Sequence, residues 1–207
     1  MVAILMITAF FSCKKDEDMS TVVSVPKIEL IGTAVYSTAT GPGTYTDPGA
    51  ILTDEDGNTS TLTTPTEGTV NLGTAGFYSV KYQVKTKYGY TVSAARLVLV
   101  TGVSPALDYS GMYYRTLNGQ EVNITKLGTG LYKTDNVGGV ADDPAFIYDV
   151  YFGQVDDSVL VVPDQPNALG GELYGTDSKV TVSGADTIIQ WKVIGSGYGT
   201  SLRVFVK

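Results

Sequence analysis

The chain has 207 residues, a formal net charge of −7 and a pI near 4.5, with 43% hydrophobic and 17% charged residues. Such a composition is globular and too poor in charge for a disordered chain, and its acidic balance would repel a phosphate backbone, so no nucleic-acid partner is expected. Histidine is absent and Cys13 is the single cysteine. The commonest general base, the commonest zinc ligand and any intrachain disulfide are thereby removed, and neither a cofactor nor a metal site is expected.

Residues 1–12 form an apolar run of signal-peptide length, too short to cross a bilayer as a helix. The run ends Phe10-Phe11-Ser12-Cys13 and gives way at once to Lys14-Lys15-Asp16-Glu17-Asp18. No basic residue precedes Cys13, which is unusual for a signal peptide. The apolar run, the small Ser12 and the cysteine resemble a bacterial lipobox, where the cysteine is lipidated and becomes the mature N-terminus. The resemblance implies a lipoprotein signal peptide over residues 1–13, held in the membrane by acyl chains on Cys13. The alternative is an ordinary buried cysteine after a hydrophobic strand. Lys14, Lys15, Asp16, Glu17 and Asp18 resemble the export tag of surface lipoproteins from glycan-foraging Gram-negative anaerobes. That resemblance implies a lipid-anchored protein of the outer membrane that faces the cell exterior. The same charges also make a solvated tether, and residues 14–25 are read as one.

Pro26 opens the first strand signal, at residues 27–31, and turn signals then recur at Gly41-Pro42-Gly43, Asp47-Pro48-Gly49, Asp56-Gly57-Asn58, residues 73–76 and Gly89. Residues 77–84 alternate: Tyr78, Val80, Tyr82 and Val84 point one way, Ser79, Lys81 and Gln83 the other. The chain turns through residues 87–90 and returns as a strand over residues 91–100. In it Val92, Ala94, Arg96, Val98 and Val100 share one face. Short strands with regular turns suggest a sandwich. Tyr45-Thr46-Asp47-Pro48-Gly49-Ala50, Asp54-Glu55-Asp56-Gly57, residues 76–82 and residues 96–100 resemble the bacterial Ig-like repeats. The resemblance covers residues 26–102 and implies an Ig-like β-sandwich acting as spacer or platform. Tyr78 stands where a tyrosine corner would.

Residues 103–107 are read as a linker. Residues 108–207 carry eight short strand signals, at 112–115, 121–126, 130–135, 146–153, 159–162, 179–183, 187–194 and 201–206. They predict a second antiparallel β-domain, a barrel or a sandwich, so the whole chain is predicted all-β. Residues 110–115, 130–132 and 135–139 resemble a C-terminal β-domain found in the same surface lipoproteins, whose role is poorly defined.

Asp54-Glu55-Asp56-Gly57-Asn58 has the flavour of a calcium loop, but an EF-hand would need Glu where Pro65 stands. A tight turn is the better reading, as it is for Asp142-Asp143 and Asp156-Asp157. Gly195-Ser196-Gly197-Tyr198-Gly199 fits neither a phosphate loop nor a nucleophile elbow and reads as a hairpin loop. The second domain has many acidic residues, but no motif selects a catalytic pair, so no enzyme is expected. Aromatic rings stack on sugar C–H faces, and the second half holds eight tyrosines and the only tryptophan. Trp191 shares a face with Ile189 and Val193 and reads as core. Tyr151, Tyr174 and Tyr198 are the candidate glycan-stacking residues, with Tyr88 and Tyr90 a similar pair in the first domain. The expected function is a non-catalytic cell-surface lipoprotein that holds a glycan-binding C-terminal domain out on an Ig-like spacer. The alternatives are an assembly component contacting another envelope protein, and a glycan-active enzyme using paired carboxylates.

Overall fold

A computed structural model describes residues 24–141 and 143–207. Cys13, Lys14, Lys15, Asp16, Glu17, Asp18 and Asp142 lie outside the described residues. Among those described, the structure is all-β apart from one 3-10 turn, Pro144–Phe146.

The first domain is a sandwich of two three-stranded sheets. One has the order β1 (Lys27–Leu30), β3 (Ala50–Thr53), β4 (Thr59–Leu62). The other has β2 (Val35–Ala39), β6 (Thr91–Thr101), β5 (Gly76–Lys85), with β2 parallel to β6. Val80, Tyr82, Val98 and Val100 fill the core at 0–2% exposure, the face that the alternation predicts. Arg96 lies on that same face and is buried. Its guanidinium faces Asp47 Oδ2 at 2.9 Å as an ion pair, and it donates to the carbonyls of Ile31, Thr33 and Gly49. Asp47 in turn accepts from Tyr82 Oη at 2.6 Å, Tyr45 Oη at 2.8 Å and the Gly49 N–H at 2.9 Å. A buried charge is tolerable only when it is paired and bonded; here the Asp47 carboxylate pairs the guanidinium and three carbonyls accept from its terminal nitrogens, while Nε faces Asp47 without an aligned hydrogen bond. Tyr78 Oη donates to Thr74 O at 2.9 Å, the tyrosine-corner bond.

The Asp54–Asn58 stretch is a tight turn between β3 and β4. Asp54 Oδ1 accepts from the backbone N–H groups of Asp56 and Asn58, and Gly57 adopts a φ of +82°. Among the described residues no group of three His, Cys, Asp or Glu side chains is placed to hold a metal.

The second domain is one nine-stranded antiparallel sheet. Its order is β11 (Leu160–Val161), β10 (Val150–Gln154), β9 (Leu131–Thr134), β8 (Glu121–Gly128), β7 (Gly111–Arg115), β15 (Leu202–Val206), β14 (Asp186–Gly195), β13 (Glu172–Ser183), β12 (Gln165–Pro166). The sheet curls until its ends meet. Val159 bridges Lys179, Val180 N donates to Ser158 O, and Gly175 N donates to Val162 O, which closes the barrel at β11 and β13. Beside that seam the Gln165 side chain acts as a substitute peptide. Its amide donates to Tyr151 O and accepts from Tyr151 N, both at 2.8 Å. Of the two architectures the sequence leaves open, the barrel is the one formed.

Two strand signals are corrected. Residues 146–149 fall in the 3-10 turn and the segment after it, so β10 starts only at Val150. β13 begins seven residues earlier than its signal, at Glu172. Its first half, Glu-Leu-Tyr-Gly-Thr-Asp, reads as turn chemistry, and a bulge with Asp177 at φ +53° interrupts it.

Tyr132, Phe152, Trp191 and Phe205 form a continuous aromatic column inside the barrel, with successive ring centroids 5.1–5.5 Å apart. All four are fully buried, as are Ile189 and Val193 beside Trp191. Each such side chain contributes roughly 1.5–3 kcal/mol by leaving water. The Asp135–Gly139 turn plugs the barrel. Trp191 Nε1 donates to Val137 O at 2.8 Å, Arg203 Nε to Gly138 O, and Arg115 and Asn118 to Gly139 O.

Candidate functional site

β6 explains how the two domains meet. Its Val98 and Val100 face the sandwich core, yet Leu99 and Thr101 on the opposite face are also buried. What covers them is the barrel. A Cβ on Gly153 of β10 would stand 2.7 Å from both Leu99 methyls and 2.8 Å from the Phe77 ring, so only glycine lets the strand come this close. Thr101 Oγ1 donates to Gln154 O at 2.7 Å, a fully buried bond across the boundary. The connection spans residues 102–110, and Lys126 Nζ ties it down by donating to the carbonyls of Pro105 and Leu107.

Beside this contact the domains leave two neighbouring grooves that share Tyr151. One, of about 540 Å³, runs between Val35, Ala95 and Leu97 of the Ig-like domain and Asp149, Tyr151, Asp164 and Glu172 of the barrel. The other, of about 630 Å³, is walled by residues 33–37 on one side and by Leu127–Thr129, Lys133 and Tyr151 on the other. Both volumes lie in the range of small-ligand sites. Tyr151 projects from the outer face of β10, half-buried, with its backbone fixed by the Gln165 amide. Asp149, two residues before it on the same face, pairs with Lys133 at 2.7 Å, and that hydrogen bond raises the Lys133 pKa. Asp164 and Glu172 are exposed. The arrangement offers an aromatic edge and an apolar wall, with three carboxylates to accept hydrogen bonds and one lysine to donate them.

The three candidate tyrosines are not brought together. Tyr174 is 41% exposed on β13, on the same outward face as Glu172 but outside the groove lining. Tyr198 is a correction. It is 5% exposed and sits in the barrel end, edge-on to Phe146 with ring centroids 5.2 Å apart and hydroxyl to hydroxyl with Tyr148 at 2.8 Å. Burial pushes its pKa far up, and the Tyr148 contact pushes it further. Its glycine loop is a lid on the core, so no sugar can stack on this ring. Tyr88 and Tyr90 are both exposed, at the end of the sandwich remote from the barrel.

Sequence reasoning missed Asp149, Asp164 and Glu172, and the Ig-like wall of the groove. One signal was available. β6 is apolar on both faces over residues 97–100, and in a two-layer sandwich a strand buried on both faces needs a third layer against it.

The family described as bacterial surface protein, Ig-like domain, matches residues 28–100, so the N-terminal domain is a bacterial surface Ig-like domain. No curated protein matches the chain. Among solved structures it is similar to a lipoprotein from Bacteroides thetaiotaomicron, at 18% identity and a TM-score of 0.39, over 88% of this chain and 98% of that one.

Proposed function

We propose that the chain is a lipid-anchored, non-catalytic surface protein of the outer membrane that binds an extracellular glycan in the groove between its two domains. The surface Ig-like domain supports the surface location. The apolar leader ending at Cys13 supports the anchor, and the acidic stretch after it supports an outward-facing position. The observation that carries the glycan reading is the position of Tyr151, an aromatic side chain on a backbone pinned by Gln165, in a groove of ligand size with Asp149, Asp164 and Glu172 around it. A sugar ring would stack its C–H face on Tyr151, and its hydroxyls would donate to the carboxylates. Val35 and Leu97 would supply the apolar wall.

Calorimetric titration of the chain with a glycan panel tests this. Binding by the wild type, weakened about tenfold by Tyr151→Ala, is the expected result. The glycan is recovered intact; cleaved glycan would point instead to the carboxylates as a catalytic pair. No binding to any glycan would favour a second reading, an assembly part that contacts another envelope protein. The observation behind that reading is the barrel interior, filled by the aromatic column and plugged by the Asp135–Gly139 turn. Its test is a pull-down from intact cells, in which one protein partner is recovered without glycan dependence.

A further inference from the structure

The groove leaves one predicted pair unused, Tyr88 and Tyr90. They flank Gly89 in the hairpin between β5 and β6 and are 57% and 72% exposed. With Val25, 82% exposed, and with Pro26 and Val92 they line an open apolar hollow of about 330 Å³. The hairpin is fixed: Thr86 N donates to Tyr90 O at 2.7 Å, and Gly89 takes a φ of +86°. It is also tied to the neighbouring turn, because Lys87 N donates to Glu55 and Lys87 Nζ pairs with Asp56 at 2.7 Å. A rigid hairpin that holds two large aromatic rings in water has an unmet partner.

Two observations say what that partner is. First, the patch lies at the pole opposite the barrel. β5 and β6 touch the barrel at Phe77, Leu99 and Thr101, and the hairpin is at their other end. Ten-residue strands span roughly 33 Å. Second, Ser24 and Val25, where the N-terminal segment joins the fold, are themselves part of the hollow. Only residues 14–23 separate Cys13 from Ser24, so Ser24 stays within about 40 Å of that cysteine even when the segment is fully extended.

We infer that Val25, Tyr88 and Tyr90 form a foot that rests in the headgroup region of the bilayer to which Cys13 is attached. Tyrosine suits that depth, with an apolar ring and a hydroxyl that stays wet. The short tether supplies a high effective concentration, so a patch this small can act without affinity for free vesicles. Asp54, Glu55 and Asp56 stand beside Lys87, so the tip has no excess of positive charge and the contact draws on burial of the rings, not on attraction to anionic headgroups. The foot sets the barrel and the groove upright above the membrane.

The inference rests on Cys13 as the anchor, and the experiment supplies that anchor chemically so that the two can fail separately. The chain beginning at Cys13 is coupled through its single thiol to maleimide-lipid vesicles of zwitterionic phosphatidylcholine with brominated acyl chains. The probe is Tyr88→Trp. Coupling is expected to shift the new indole emission to the blue and quench it, while the buried Trp191 emission stays unchanged and reports an intact fold. Adding Val25→Asp and Tyr90→Asp should abolish the quenching. An indole at position 88 that stays unquenched on coupled vesicles overturns the inference. Quenching that appears only on anionic vesicles and vanishes with salt also overturns it. Whether the cell acylates Cys13 is decided separately, by mass spectrometry of the membrane-extracted protein.

Discussion

The two domains solve the burial problem in opposite ways. The Ig-like domain has a thin core and staples its two sheets with an ion pair, Arg96 and Asp47, both side chains 1–2% exposed and held by backbone carbonyls and tyrosine hydroxyls. The barrel holds its strands around an aromatic column and, among the described residues, buries no carboxylate. A small sandwich has little apolar area to spare, so a polar network fixes which strands meet; whether that network also adds stability depends on its complete satisfaction. The barrel has area enough and relies on packing.

The contrast can be broken most directly in the barrel. Trp191→Ala should cost about 3–5 kcal/mol, because it empties the middle of the column and orphans the Val137 carbonyl. Urea unfolding followed by circular dichroism would measure the loss. Asp47→Asn should cost about 3 kcal/mol, since it leaves Arg96 charged and buried without its counter-ion. If the two losses appear in separate transitions, the domains unfold independently; a single transition would show that the Leu99–Gly153 contact couples them.

That contact is itself testable. Gly153→Ala puts a methyl into Leu99 and Phe77 and should cost about 2 kcal/mol, with the domains pushed apart. Small-angle scattering would report the change in their spacing.

Acid should separate the domains next. Burial alone would raise the Asp47 pKa, but the bonds from Tyr82, Gly49 and Tyr45 and the charge of Arg96 outweigh it and hold the carboxyl below its usual value. A carboxyl lowered in the folded state stabilises above its unfolded pKa, near 4, and that contribution is lost as pH falls through the folded value. The Ig-like domain should therefore soften first below about pH 4, which thermal melts at stepped pH would detect. The smallest effect concerns the matched corner bonds, Tyr78 to Thr74 and Tyr113 to Tyr109. Tyr113→Phe should cost about 1 kcal/mol and Tyr78→Phe less, because Tyr113 is fully buried and Tyr78 is not.

The first domain was readable because its signals are local. Alternation in residues 77–84 and 91–100, the Asp-Gly turns and Tyr78 each depend on neighbours in sequence. Trp191 was legible for the same reason, since its face is written in Ile189 and Val193. Tyr198 misled, because a glycine-rich loop reads as exposed while a barrel end needs a lid. β13 was missed at its start because its partner β14 and the seam to β11 impose a strand on turn-forming residues. Of the groove, Tyr151 was legible as one of the candidate stacking rings. The opposite wall of Val35 and Leu97 was not, because nothing local says which face of one domain covers another.

Amide chemical-shift mapping during titration with a bound glycan tests the central claim most directly. Shifts are expected only at Val35, residues 95–97, Asp149–Tyr151, Asp164 and Glu172, and none around Trp191 in the plugged barrel. Shifts centred on Tyr174, or on the barrel end at Tyr198, would contradict it.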